Sequence, residues 1–542
     1  MKKSYKKRII SMLLCSVMLF SMALSMTGCG GNSGKSGASG MEDFTFPLEE
    51  EMTFTFMVQG SRSASFDEDL ANNALWKKLK EETNVNIEFQ FLGDDSSSKL
   101  AMLVNSGEYG DVLVGGPVLN SIQSSLYLSS GIFVPLDDYV NDKYMPNLTA
   151  ILADRPETKK VITSAEGEIV TIPRMTDMEG WYLESPIWIN KKWLDKVGLG
   201  VPTTVDEFTN VLRAFATKDP NGNGKADEVP LFIANSMEYY SFDAWLGCWG
   251  LATKSGTNDS YVQVVDGKVQ FVPSQEAYKE ALEYMAQLYG EGLIYQEAFT
   301  ATSQTATAKL TSTTCVVGCF TSNTLPTTDY VDDYVCMLPP KVEGYDSCWY
   351  YHYGMNGSKN FFYLTDNCEN PAVLMAWMDK LYELENSVAL EYGLPEEGRV
   401  TVENGVYNML DLDSVTSAQI NKDHPTLYSL TDINIRAFNT YGDTIAYSVK
   451  DQVKQDCYKL YSEANAINTE IWPRPYYLAE DANKLSELCT DIFYTVSNFR
   501  AKVISGTWDV NEKWDSYISD LENQGLDDFV EMQQRAYDAY DK

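Results

Sequence analysis

Apolar and polar residues begin to alternate soon after residue 50. Phe54, Phe56 and Val58 share one face of a strand predicted from Met52 to Val58. A polar loop follows, Gln59-Gly60-Ser61-Arg62-Ser63. Helical spacing then runs from Asp69 to Thr83, with Leu70, Trp76 and Leu79 among the apolar positions. Val85, Ile87, Phe89 and Phe91 alternate again, giving a second strand. A helix over Lys99 to Asn105 and a strand over Asp111 to Val114 continue the series. Strands that alternate with helices predict an α/β fold with a mostly parallel sheet. Ligands of such sheets sit beyond the carboxyl ends of the strands, where the Gln59–Ser63 loop would lie.

A second unit starts near Trp181. Trp188-Ile189-Asn190 reads as a strand and Lys191 to Val197 as a helix. Thr204 is placed to cap a helix over Val205 to Thr217, with Glu207 three residues on, as in a capping box. The stretch Ser274 to Glu291 is amphipathic and stops at Gly292, and Asp481 to Asp541 is largely helical. No internal repeat interrupts the pattern.

Ahead of the alternating region the chain has a different character. Lys2, Lys3, Lys6, Lys7 and Arg8 precede an uncharged, largely apolar run from Ile9 to Met26. That order predicts an export signal over residues 1–28. Met26-Thr27-Gly28-Cys29 resembles the bacterial lipobox, which implies a lipid on Cys29 as the mature N-terminus and an anchor on the outer face of a membrane. Residues 29–48 read as a flexible linker, because Gly30 to Gly40 is almost entirely Gly, Ser, Asn, Lys and Ala. No later run is apolar enough to suggest another membrane segment.

Composition narrows the function classes. The formal charge is −35, and near −40 once the five signal positives are removed (−35 minus 5). Such a surface repels nucleic acid, and no nucleic-acid partner is expected. The two histidines, His352 and His424, lie far apart, and no CxxC spacing occurs, which argues against a zinc site. Eight cysteines follow Cys29; they read as buried thiols, with disulfides open to an exported chain and their connectivity unreadable.

One local motif has metal-ligand spacing. Asp219, Asn221, Asn223 and Asp227 place oxygen side chains at positions one, three, five and nine of a loop with Gly224 at six. Hard Ca²⁺ takes several oxygen ligands, and alternate residues of a tight turn can all face inward. Lys225 would offer its backbone carbonyl. An EF-hand has a bidentate Glu at position twelve; here that place is Pro230, so Glu228 would have to serve. The loop lies between a helix and a strand, so the ion would be structural. The plainer reading is a polar turn.

Aromatic residues are abundant, at 11 Trp, 34 Tyr and 22 Phe. Sugar rings present C–H faces that stack on aromatic rings, while polar side chains bind their hydroxyls. Gln59, Arg62, Trp181, Trp245, Trp249, Trp349 and Arg474 are the candidate ligand contacts on this reasoning, although ordinary cores also collect aromatics. No catalytic motif appears: there is no GxSxG elbow, no Walker loop and no GxGxxG after a strand. Carboxylate pairs are too easily formed by chance in so acidic a chain to be informative.

Several segments together resemble a family. They are Trp188-Ile189-Asn190-Lys191-Lys192-Trp193-Leu194-Asp195-Lys196-Val197-Gly198-Leu199, then Val201-Pro202-Thr203-Thr204-Val205-Asp206-Glu207-Phe208, then the Asp219–Glu228 loop, with Leu100 to Glu108 and the chain's end, Phe499 to Gly506 and Trp514 to Gly525. They look like the extracellular solute-binding proteins of bacterial ABC importers, in the large lipoprotein branch that includes the alginate-binding proteins. The resemblance implies an α/β, two-lobed, periplasmic-binding-protein-like fold with a hinge and an interlobe ligand cleft. It implies residues 49–175 plus about 300–365 in an N-terminal lobe, and 176–299 plus about 366–542 in a C-terminal lobe carrying the loop. The alginate-binding members hold Ca²⁺ in a loop that looks like Asp219, Asn221, Asn223, Lys225, Asp227 and Glu228 here. The implied ligand is an oligosaccharide, delivered to ABC permease subunits by a monomeric, lipid-anchored, non-enzymatic receptor on a Gram-positive cell surface. The acidity disfavours a uronate polymer and favours a neutral or mildly charged glycan. A surface polysaccharide-degrading enzyme and a receptor that presents ligand to a sensor kinase stay open as alternatives.

Overall fold

The computed structural model describes residues 43–541, except 116–117, 177, 254–260, 326–327, 352–357, 413, 434, 436, 439–444 and 447. The export signal, Cys29, most of the linker and His352 lie outside the described residues. Among the described residues two four-stranded sheets carry the fold. Their strands are β1 (Met52–Val58), β2 (Val85–Phe91), β3 (Val112–Val114), β4 (Ile187–Asn190), β5 (Val229–Phe232), β6 (Val317–Thr321), β7 (Tyr334–Met337) and β8 (Phe362–Leu364). The helices used below are α1 (Ser121–Ser129), α2 (Pro146–Asp154), α3 (Val205–Thr217), α4 (Val449–Glu463), α5 (Ala479–Ile504), α6 (Val510–Asn523) and α7 (Leu526–Tyr540).

The first sheet has the order β8-β3-β1-β2. β1 runs parallel to β2 and β3, and β8 closes the edge antiparallel to β3. Phe54, Phe56 and Val58 pack into one core while Met57 enters another on the opposite face. Burial of both faces is what a parallel sheet flanked by helices requires. The helical stretch after the Gln59–Ser63 loop is interrupted: one helix ends at Asn72 and the next begins at Ala74. Asn73 between them is extended, and its side chain accepts from the Trp76 amide at 2.8 Å, so it caps the second helix.

The second sheet has the order β7-β4-β6-β5. Only β5 and β6 are parallel; β4 is antiparallel to both of its neighbours, so this sheet is mixed where a mostly parallel one was expected. α3 occupies the predicted residues, with the Thr204 hydroxyl accepting from the Glu207 amide at 3.2 Å. The Glu207 carboxylate reaches back to the Thr203 amide at 2.8 Å, one residue earlier than a capping box would place it. The three C-terminal helices, α5 to α7, bury Leu485, Ile492, Phe499, Tyr517 and Phe529 in the same core as this sheet.

The chain crosses between the two sheets more than once, and the lobe boundaries differ from the expected ones. Residues 303–337 belong to the second core, because β6 and β7 pair with β4 and β5. Residues 362–394 and 427–435 return to the first core, where Trp377, Leu381 and Leu390 are buried. The packed body also starts earlier than residue 49. Leu48 is buried in the first core and its amide donates to the Thr83 carbonyl at 3.0 Å.

Candidate functional site

The strand directions define two rims. In the first sheet the carboxyl ends of β1, β2 and β3 lie together, and the antiparallel β8 begins at the same edge, with Phe362 opposite Val114. That rim is formed by residues 59–63, 92–95, 115, 118–120 and 358–361. In the second sheet Thr321, at the end of β6, pairs with Ile187 at the start of β4. Its rim is formed by residues 183–186, 233–240 and 322–325. The segments that join the sheets leave from these same edges. Arg174 bridges Ser358, Leu183 bridges Tyr351, and Met175–Thr176 pairs in parallel with Ala437–Phe438. Both rims therefore sit beside the crossings, which is where a ligand between two α/β units is held.

Part of the backbone strain lies here. Ser185 on the second rim, Asn360 on the first and Arg474 on a neighbouring segment have φ of 50°, 72° and 51°. Residues held in that region cost of order 1–3 kcal/mol each and persist where the surroundings over-determine them, often at ligand clamps. Tyr363 and Tyr476 both donate to the Asn360 amide oxygen, and the Tyr476 ring lies 3.8 Å from the Lys359 ammonium.

Of the candidate contacts, Gln59 and Arg62 lie on the first rim. Gln59 is half-buried. Arg62 is exposed, paired with Asp67 and stacked 4.9 Å from the Phe66 ring centroid. Arg474 is half-buried, and its carbonyl accepts from Ser121 at the start of α1, which directly follows that rim. Trp181 stands in a crossing segment, half-buried. Its indole N–H donates to Asp451 at 3.3 Å, and the Lys454 ammonium covers its ring at 3.3 Å from the centroid. One face of Trp181 is thus already taken.

The other three tryptophans are elsewhere. Trp245, Trp249 and Trp349 are 1%, 4% and 1% exposed, all within the second core. Trp245 stacks on Phe208 at 5.2 Å and Trp249 packs on Tyr284 at 5.5 Å. Trp349 lies so close to Gly247 that a Cβ there would meet its ring at 2.7 Å. As placed, these indoles offer no face to a ligand, because apolar area of that size is worth most in the core. Trp349 still acts on the rim indirectly, through a 2.8 Å donation from its indole N–H to the Glu184 carbonyl.

Sequence reasoning missed the polar groups on the rims. Asn323 donates to the Glu184 carboxylate at 3.4 Å and accepts from the Ser185 amide. The Asn235 side-chain oxygen is buried without a partner among the described residues. Lys454 is held well below the usual lysine range, at about 8; burial is the main cause, opposed by Asp451 and Glu391. None of these has a sequence signature.

The Asp219–Glu228 loop forms a closed polar turn. Asp219 accepts from the amides of Gly222 at 2.9 Å, Asn223 at 3.1 Å and Gly224 at 3.1 Å. The Asn221 oxygen accepts from the Asn223 amide, and the Asn223 oxygen from the Lys225 amide. The amide groups of Asn221 and Asn223 donate to Asp227 at 3.0–3.1 Å. Burial works against the Asp227 charge, but these donations outweigh it and hold the carboxyl below its usual range. Glu228 is the opposite case. One of its oxygens is buried without a partner, and burial together with Asp227 and Asp219 raises its carboxyl. Among the described residues no three His, Cys, Asp or Glu side chains stand close enough to hold a metal ion. The donor set is all oxygen, and the orphaned Glu228 oxygen marks where a cation would relieve it, so these residues fit calcium.

The chain is similar to known proteins along most of its length. The family model of bacterial extracellular solute-binding proteins matches residues 61–383. A fructooligosaccharide ABC transporter substrate-binding protein, FusA of Streptococcus pneumoniae, is 27% identical over 97% of each chain. The solved structure of that protein with kestose superposes with a TM-score of 0.74, at 25% identity over 90% of this chain and 99% of that one. A solute-binding protein of Bifidobacterium longum infantis, described as HMO-binding and associated with an ABC transporter, gives a TM-score of 0.77 at 25% identity, covering 91% and 99%.

Proposed function

The chain belongs to the bacterial extracellular solute-binding protein family, and we propose that it captures an oligosaccharide between its two rims and delivers it to the permease of an ABC importer. The observation that carries this reading is the facing of two strand-end rims onto shared crossing segments, with strained backbone and polar side chains on both. Gln59, Arg62, Trp181 and Arg474 contact the ligand, joined by Asn235 and Asn323. Trp181 contributes the ring face that Lys454 leaves free, and the amides bind hydroxyls. Closure is a hinge motion about the crossings, as in other two-lobed receptors. The ligand is released intact, and the protein is not an enzyme. The ligand class of FusA makes kestose and longer fructooligosaccharides the first probes, with human-milk oligosaccharides second. Isothermal titration calorimetry against that panel tests the reading. Saturable binding of one glycan class, without cleavage products by mass spectrometry, is the expected result. Failure of every glycan, or cleavage of any, overturns it.

Calcium occupies the Asp219–Glu228 loop in this reading, with Asp219, Asn221, Asn223, Asp227 and Glu228 as side-chain ligands and the Lys225 carbonyl as the sixth position. The ion supplies charge compensation and fixes the turn between α3 and β5. Excess chelator lowers the melting temperature of calcium-loaded protein if the site is filled; an unchanged transition removes it. Cys29 carries the lipid that keeps the receptor at the membrane. Mass spectrometry of the mature N-terminus checks this, and a free or uncleaved N-terminus refutes it.

A further inference from the structure

Two thiols from distant parts of the chain meet in the second lobe. Cys336 lies on β7, the edge strand of the second sheet, and Cys457 on α4. The two thiols lie close enough to act on one another. The approach is fixed by more than the two side chains. Tyr461, one helical turn after Cys457, donates to the Met337 carbonyl at 2.8 Å and accepts from the Ile187 amide at 3.1 Å. These bonds dock α4 on β7 and β4 at the level of Cys336, which pairs with Trp188 in the register. Cys457 is buried and Cys336 is partly covered. The neighbouring thiol of Cys315 is engaged instead with Tyr334 at 3.3 Å and Asn190 at 3.2 Å.

Placement along the chain gives this contact a purpose. The segment between the two cysteines leaves the second lobe, builds β8 and the buried helices of the first, and returns as α4. A covalent link would fasten both ends of that excursion to the second lobe. It would leave the other crossings free to bend. The family is extracellular, where thiols meet oxidising conditions.

We propose that Cys336 and Cys457 are joined by a disulfide in the exported protein. The oxidant is a disulfide-bearing thiol oxidoreductase or a low-molecular-weight disulfide, acting by exchange. The Cys336 thiolate attacks one sulfur of that disulfide and expels a thiolate. The Cys457 thiolate then attacks the Cys336 sulfur of the mixed disulfide, forms the new S–S bond and expels the second thiolate. The oxidant gains two electrons, and the two cysteine protons end on its thiols. In the folded protein contact with Cys457, together with burial, pushes the Cys336 thiol well above its usual range. Thiolate is therefore scarce once α4 has docked. Exchange belongs to folding, before docking, and the finished bond is shielded from reductants.

The full mature chain, exported and purified without reductant, is alkylated in denaturant and mapped by tryptic mass spectrometry. A peptide pair linking Cys336 to Cys457, resistant to alkylation until reduced, is the expected result. Reduction should lower the melting temperature by about 3–6 °C. Cys457→Ser should free Cys336 for alkylation and abolish the response to reductant. Complete alkylation of both residues, even after refolding with oxidised glutathione, overturns the proposal. So does a bridge from either residue to a different cysteine. If the variant does not fold, the peptide map of the unaltered chain decides alone. No glycan enters these measurements, so their failure is separate from failure of the proposed ligand.

Discussion

The two lobes share a plan but bury charge differently. In the second lobe Asp243 lies under α5, where one Arg500 nitrogen contacts both carboxylate oxygens at 2.7 Å. Burial works against the Arg500 charge, yet Asp243 outweighs it and raises the guanidinium further. In the first lobe Asp379 has no cationic partner of this kind among the described residues. It accepts from the amides of Asn147 at 3.1 Å and Leu148 at 2.9 Å, capping the start of α2. Backbone donors and the helix N-terminus offset only part of its burial, and the carboxyl stays above its usual range. A paired charge is thus locked in by its partner, while a capped one stays disfavoured by its burial.

The largest effect should come from breaking the pair. Arg500→Met is expected to cost about 3–5 kcal/mol in urea unfolding, and Arg500→Met with Asp243→Leu to recover most of it. A loss below about 1 kcal/mol for the single change would remove the contrast between lobes. Next, Trp249→Ala should cost about 3–5 kcal/mol while leaving the glycan affinity of the folded protein unchanged. Weakened affinity at full stability would return Trp249 to the ligand site. Asp379→Asn should cost about 1 kcal/mol or less, since losing one acceptor is offset by removing a disfavoured charge. The native Asp379 carboxyl is raised, so the folded state binds its proton first and stability from this group rises as pH falls through the carboxylate range. The Asn variant should lack that rise.

Lys454 gives a signal of opposite sign. Its folded value of about 8 lies below the ordinary 10.5, so between them only the unfolded chain holds the proton. Stability should therefore increase with pH across that window, and Lys454→Met should flatten the increase in pH-dependent melting. The smallest effect concerns Glu228, whose carboxyl is raised by burial and by two acidic neighbours. Without metal, Glu228→Gln should melt slightly higher than the native chain at neutral pH, with the difference vanishing in acid. With calcium the order should reverse. The same order in both conditions would show that Glu228 does not face the ion.

Much of this was legible beforehand. β1, β2 and α3 follow from alternation and capping, and the Gln59–Ser63 loop falls at a strand end as periodicity requires. The tryptophans of the second lobe were not legible as core, because the same residue type serves a cleft or an interior. The choice depends on partners such as Phe208 and Tyr284, far away in the chain. The lobe boundaries failed for a related reason. β6, β7 and β8 are short apolar strands, and nothing local says which sheet a short apolar strand will join.

By itself the sequence determined the alternating α/β body, its capped helices, the oxygen-rich loop from Asp219 to Glu228 and the export pattern ahead of them. Each depends on neighbours within a dozen residues, where periodicity, capping and ligand spacing act. Only the tertiary structure decided which strands share a sheet, which aromatics are buried, and that Lys454 covers Trp181 while Cys336 meets Cys457. Those outcomes depend on burial between segments separated by anything from a few dozen to a few hundred residues. Burial is a property of the packed whole, because apolar area leaves water only when another part of the chain covers it.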